Sequence, residues 1–123
     1  MRFLRAAPQG QFERARFLFD RAGAGELELV LSAAVIAETA AILHHTYEIG
    51  LREVAASLLL IVNGRGVRVE ESEIVIGALE RSRDVNVDFI DAYVAAKAAG
   101  VGAVVASFDS DLLRKLHAKV VDF

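Results

Sequence analysis

The stretch Leu29 to Leu43, LVLSAAVIAETAAIL, decides the fold of this 123-residue chain. Leu27, Leu29 and Leu31 alternate with Glu26, Glu28 and Val30, a period of two that predicts a strand. Ser32 follows, and its hydroxyl can accept a hydrogen bond from a first-turn amide, so it predicts the N-cap of a helix running to about His45. A strand that passes through one capping residue into a helix is the junction from which parallel sheets are built. Beyond the carboxyl ends of such strands is also where these sheets carry their sites.

Working outward, the same alternation of element types recurs. Gln9 to Ala22 places Phe12, Ala15, Phe19 and Ala22 at helical spacing and stops at Gly23 and Gly25. Gly50 breaks the pattern, and Leu51 to Val62 predicts another apolar helix. Asn63, Gly64, Arg65 and Gly66 then form a turn before a β-prone piece, Val67 to Val69. Helices are expected over Ser72 to Arg81 and over Val87 to Ala99, the latter ending at Gly100. Ala103 to Phe108 predicts a strand, Ser110 to His117 a short helix, and Val120 to Asp122 a closing strand. No repeat, low-complexity tract or linker interrupts the chain, so residues 1–123 read as a single α/β domain with a mostly parallel sheet.

Composition narrows the function classes. Hydrophobic residues make up 54% of the chain, which favours a core continued into a second copy, and a homodimer is the expectation. The net charge of −3 lacks the basic excess of a protein that holds nucleic acid by charge alone. An acidic nucleic-acid enzyme still works where a bound cation supplies local positive charge. Cysteine is absent, which removes disulfides and thiolate metal sites. No apolar run approaches the roughly 18 residues of a membrane span, and Met1 to Pro8 has no signal-peptide core. A cytoplasmic protein without a membrane partner is expected. HExxH, GxxxxGK[ST] and GxGxxG are all missing, which leaves zinc-protease, triphosphatase and dinucleotide readings without support. His44 and His45 are adjacent and diverge by about 100° on a helix, and His117 stands apart.

The informative residues are acidic. Glu38 is the sole charge from Ala33 to Leu43 and shares a helical face with Ala34, Val35, Ala41 and Ile42. A carboxylate pressed into apolar surroundings requires a pair, hydrogen bonds, a proton or a metal, whereas one facing solvent requires nothing. Asp88 and Asp91 lie three apart on the next informative helix, on a face continued by the small Ala95 and Ala98. Favourable first-turn charge accounts for Asp88 equally well, and less readily for Asp91. Asp109 follows the apolar stretch Ala103 to Phe108, and Asp111 opens the helix beyond it; capping is the plain alternative for both. Carboxylates crowded together repel one another unless a hard cation such as Mg²⁺ or Mn²⁺ joins them, and such an ion can activate water against a phosphodiester.

Taken in order, LVLSAAVIAETAAIL, VDFIDAYVAAKAAG and AVVASFDSDLL resemble the PIN domain, and among PIN domains the VapC-type toxins of toxin–antitoxin pairs. The likeness spans nearly the whole chain. It implies a three-layer α/β/α fold and a metal-dependent ribonuclease with an acidic cluster around Mg²⁺ or Mn²⁺. By this resemblance Glu38, Asp91 and Asp109 are catalytic metal ligands, Asp111 is an auxiliary ligand, and Asp88 neighbours the site. Ser107 and Arg114 would contact substrate, with Arg65, Arg68 and Lys115 as looser phosphate contacts. RNA is the implied substrate, and an antitoxin protein is an implied partner.

The sequence departs from the family pattern at its start. PIN domains open with a strand ending in an aspartate-threonine/serine-asparagine motif, and here no acidic residue precedes Glu13. The first central strand, expected between Leu27–Leu31 and Ala103–Phe108, is therefore read as missing. Its two neighbours are expected to close up or to admit a dimer partner. Loss of that ligand leaves an impaired nuclease, or a catalytically weak PIN-like module acting through dimerisation or antitoxin binding. A receiver-type phosphoacceptor also clusters carboxylates at a sheet end, yet no acceptor aspartate follows a central strand here.

Overall fold

The computed structural model describes residues 9–106, 116, 120 and 121, with side chains for 16–106 and 116. Helix α1 covers Gln9–Gly23 and strand β1 covers Leu29–Leu31. Helix α2, Ala33–Ala41, runs on into a π-helical turn, Ile42–Thr46, and α3 spans Leu51–Val62. Strand β2, Val67–Val69, precedes α4, Ser72–Val85, and α5, Phe89–Val101. Strands β3, Val105–Ala106, and β4, Val120–Val121, follow. The α/β class and the parallel pairing expected from the sequence are present. The expected helix over Ser110 to His117 lies outside the described residues.

Local chemistry explains where the helices begin and end. Ser32 sits in extended conformation and its hydroxyl accepts from the Val35 amide at 3.2 Å, the cap expected of it. Asp88 does the same for α5, accepting from the Ile90 amide at 3.2 Å. Asn86 and Gly102 take left-handed backbone after α4 and α5, which stops both helices. Helix α4 runs four residues beyond the expected Arg81 because Ser82 turns inward, where its hydroxyl donates to the Val87 carbonyl. Residues 82–85, left outside the expected helix, are thus its last turn.

The sheet is sparse. Strand β1 pairs with β2 in parallel, Val30 opposite Arg68, and β3 pairs with β4 in parallel, Val105 opposite Val120. Among the described residues these form two separate ribbons, and β1 does not pair with β3. Among the described residues the flanking strands have therefore not closed up. The outer edge of β1 borders an apolar groove lined by Leu18, Phe19, Val30, Val35 and Ile61.

Cohesion comes from the helices. Helix α4 packs against both α3 and α5, and α2 touches α3 and α5. Ile36, Leu58, Val62, Val75, Leu79, Phe89 and Ala92 form one continuous buried cluster. Within it Val75, Ala78 and Leu79 of α4 are fully inaccessible, so α4 is the central helix. No helix of the described residues is long and apolar enough to cross a membrane.

Candidate functional site

The strand β1 delivers the chain to Ser32, and the cap at Ser32 fixes the start of α2. Glu38 then lies about one and a half turns into the helix, on its solvent-exposed side. The apolar setting anticipated for it belongs instead to Ile36, Thr39 and Ala40, which face the core. Thr39 is buried, and its hydroxyl donates to the Val35 carbonyl at 2.8 Å.

Asp88 and Asp91 occupy the start of α5. Asp88 is the N-cap of α5, a structural role different from the first-turn charge weighed for it. Asp91 is half buried within the first turn, where a carboxylate also suits the positive end of the helix dipole. Because α2 and α5 touch, Glu38 and Asp91 ride on neighbouring helices. Asp109, Asp111, Ser107 and Arg114 lie outside the described residues, as does Lys115. Among the described residues no three His, Asp or Glu side chains stand close enough to hold a metal ion. The donor chemistry of Glu38 and Asp91 is oxygen only, which suits a hard divalent cation, although these two alone do not complete a site.

The remaining sequence candidates divide cleanly. His44 is held by its Nδ1 at 2.8 Å from the Ile49 carbonyl, inside the turn that ends the π-helical segment. Its neighbour His45 meets it edge-on at 4.8 Å between ring centres. Arg68 faces Glu28 across the β1–β2 pair at 3.5 Å. Arg65 lies exposed in the turn before β2.

One polar cluster has no forerunner in the sequence reading. Glu71 follows β2 and takes left-handed backbone, φ 54° and ψ 42°, at the entry to α4. Its carboxylate accepts from the Tyr93 hydroxyl at 2.6 Å and pairs with Lys97 Nζ at 3.0 Å. Lys97 Nζ also reaches the Tyr93 hydroxyl at 3.3 Å, closing the triangle. The Tyr93 hydrogen bond, and then Lys97, hold the Glu71 carboxyl below its ordinary range. Glu71 in turn raises both Tyr93 and Lys97. The i, i+4 spacing of Tyr93 and Lys97 was the one available clue to this cluster. Their partner, 22 residues upstream, was not readable.

No curated protein and no solved structure matches the chain. The sequence profile of the PIN domain matches residues 2–117, a span that takes in Glu38, Asp88, Asp91, Asp109 and Asp111. With an α/β fold of parallel strands and covering helices already in place, that match settles the kinship: the chain belongs to the PIN domain family.

Proposed function

We propose that the chain is a metal-dependent endoribonuclease of VapC toxin type. The observation that carries this reading is the profile match across residues 2–117, because it spans every stretch that bears a candidate carboxylate. Family membership supports nuclease activity on nucleic acid in general; RNA as substrate, and the choice of Mg²⁺ or Mn²⁺, are finer parts of the proposal. Glu38 and Asp91 would hold the ion from α2 and α5, joined by Asp109 with Asp111 as auxiliary. A bound divalent cation lowers the pKa of coordinated water and neutralises charge on a phosphodiester. Asp88 keeps the α5 start rigid through its cap, and Ser107 and Arg114 orient the substrate backbone.

A second reading, a weakly active PIN-like module that works through dimerisation or antitoxin binding, draws support from exposed apolar side chains. Val30 is 55% exposed and Leu60 80% exposed, surface that a partner would cover. That β1 and β3 do not pair among the described residues is compatible with a further strand between them. A cytoplasmic site of action belongs to the same proposal.

The deciding experiment is cleavage of a fluorescent single-stranded RNA in Mn²⁺, Mg²⁺ or EDTA, alongside Glu38→Ala and Asp91→Ala. Cleavage that requires the ion and drops at least about 100-fold in each variant supports the nuclease. Metal-independent cleavage, or variants as active as the parent, would overturn the site. A protein that neither cleaves nor binds Mn²⁺ by calorimetry leaves the interaction-module reading standing.

A further inference from the structure

Helix α5, FIDAYVAAKAAGV, packs on its neighbours mostly through small residues. Its buried contacts are Phe89, Ala92 and Ala95, while Ile90, Val94 and Val101 are apolar and exposed. Beyond Phe89 its buried contacts are small and its exposed face is partly apolar. Amphipathicity and interlocking of large side chains therefore hold its rotation firmly only at its first turn. Small alanine contacts let a helix turn or slide at little cost. Yet α5 carries Asp91, whose place relative to α2 matters to the proposed site.

We propose that Glu71, Tyr93 and Lys97 form a clasp that fixes the rotation of α5 and so positions Asp91. The consequence for catalysis rests on the nuclease reading above; the clasp itself does not. Three observations converge on it. Glu71 holds left-handed backbone that a residue with a Cβ adopts only under constraint. That conformation turns its carboxylate toward α5, where each oxygen meets a different partner, Tyr93 at 2.6 Å and Lys97 at 3.0 Å. The Tyr93 ring is itself braced, stacked on the buried Phe89 with centroids 5.8 Å apart and covered by Lys97 at 5.7 Å.

Glu71 lies two residues beyond β2 and is the N-cap of α4, so the clasp ties α5 to the point where the β1–β2 ribbon passes into α4. The same ribbon launches α2, which carries Glu38. The clasp thereby sets Asp91 relative to the same β2–α4 junction whose strand partner leads into α2. A carboxylate about 6 Å from a helix axis moves about 1 Å for each 10° of rotation. A misplacement of that size costs on the order of 100-fold in rate where catalytic groups must converge.

The test compares the parent protein with Glu71→Gly, Glu71→Gln and Tyr93→Phe. Glycine accepts the left-handed backbone freely while removing the clasp, which separates positioning from stability. We expect Glu71→Gly to lower kcat on RNA at least about 10-fold, with KM and Tm little changed. Amide exchange in the first turns of α5 should quicken about 10-fold, and the Asp91 carboxyl ¹³C resonance should shift. Glu71→Gln, which keeps an acceptor for Tyr93, should restore part of each effect, and Tyr93→Phe should show a smaller version. An unchanged Asp91 resonance with unchanged α5 exchange in Glu71→Gly would overturn the clasp, and so would unaltered kcat in an active parent. If the parent cleaves no RNA, the nuclease reading falls, while exchange and the Asp91 resonance still decide the clasp.

Discussion

Gly66 is where α1 comes closest to the β1–β2 ribbon, and replacing it with alanine tests that approach. Its φ is +80°, and an added Cβ would lie 2.1 Å from the Ala22 carbonyl oxygen and 2.4 Å from the Ala22 carbonyl carbon. Both are backbone atoms of α1, so no side chain can swing aside. Relief requires the 63–66 turn or the end of α1 to move, which disturbs the 2.8 Å bond from the Leu29 amide to the Gly66 carbonyl. The left-handed backbone costs alanine about 1 kcal/mol. A weakened half-buried hydrogen bond adds about 1 kcal/mol, and forced overpacking adds about 1–3 kcal/mol. The sum for Gly66→Ala is about 3–5 kcal/mol, a large share of the stability of a domain this size. Gly102→Ala is the control, because its φ is +68° with nothing within 4 Å of the added Cβ, leaving only the backbone term of about 1 kcal/mol. Urea unfolding followed by circular dichroism at equal m-value measures both. Equal losses in the two variants would refute the close contact between Gly66 and Ala22.

Three further outcomes are expected. Leu79→Ala, at a fully inaccessible position of α4, should cost about 3–5 kcal/mol in the same urea assay. Ser82→Ala removes the buried donor to the Val87 carbonyl and should cost about 1–3 kcal/mol, read as a lower Tm. The clasp adds a pH dependence with two limbs. Glu71 is lowered, so its stabilisation is present above the ordinary carboxylate range and is lost as pH falls through the lowered value. Lys97 is raised, so its share is present below the ordinary lysine range and is lost as pH rises through the raised value. Glu71→Gln should flatten both limbs of the Tm–pH curve, and the wild-type limbs should shrink in high salt, since these groups face solvent.

Much of the architecture was legible where one residue has one physical job. Ser32 marked the start of α2, and Leu51 to Val62 coincides with α3 because Gly50 and Asn63 bracket a run whose apolar residues recur at helical spacing. Val67 to Val69 was equally plain between its turn and the acidic pair that follows. The end of α4 was misjudged at Arg81 because polarity suggested solvent, whereas Ser82 is buried through a partner five residues on. The strand over Leu27 to Leu31 shrank to Leu29–Leu31, the part that finds a partner in β2. The π-helical turn at 42–46 breaks the 3.6-residue period, and no side-chain pattern announces it. At the site, helical spacing grouped residues by face but could not tell which face met water, so Glu38 was expected among apolar neighbours and is exposed. Glu71 escaped notice because a left-handed glutamate and a contact across 22 residues leave no local trace.

The order in which the helices touch has a kinetic consequence. Helices α3, α4 and α5 are consecutive in the chain, and each packs on the next. Bringing such neighbours together closes only short loops, which carries a small entropic penalty. The strands, by contrast, join segments far apart in sequence with few rungs each. Residues 51–101, Asp91 among them, are therefore expected to come together early, with the strand pairings, and the β1–α2 junction that leads to Glu38, following on that helical body.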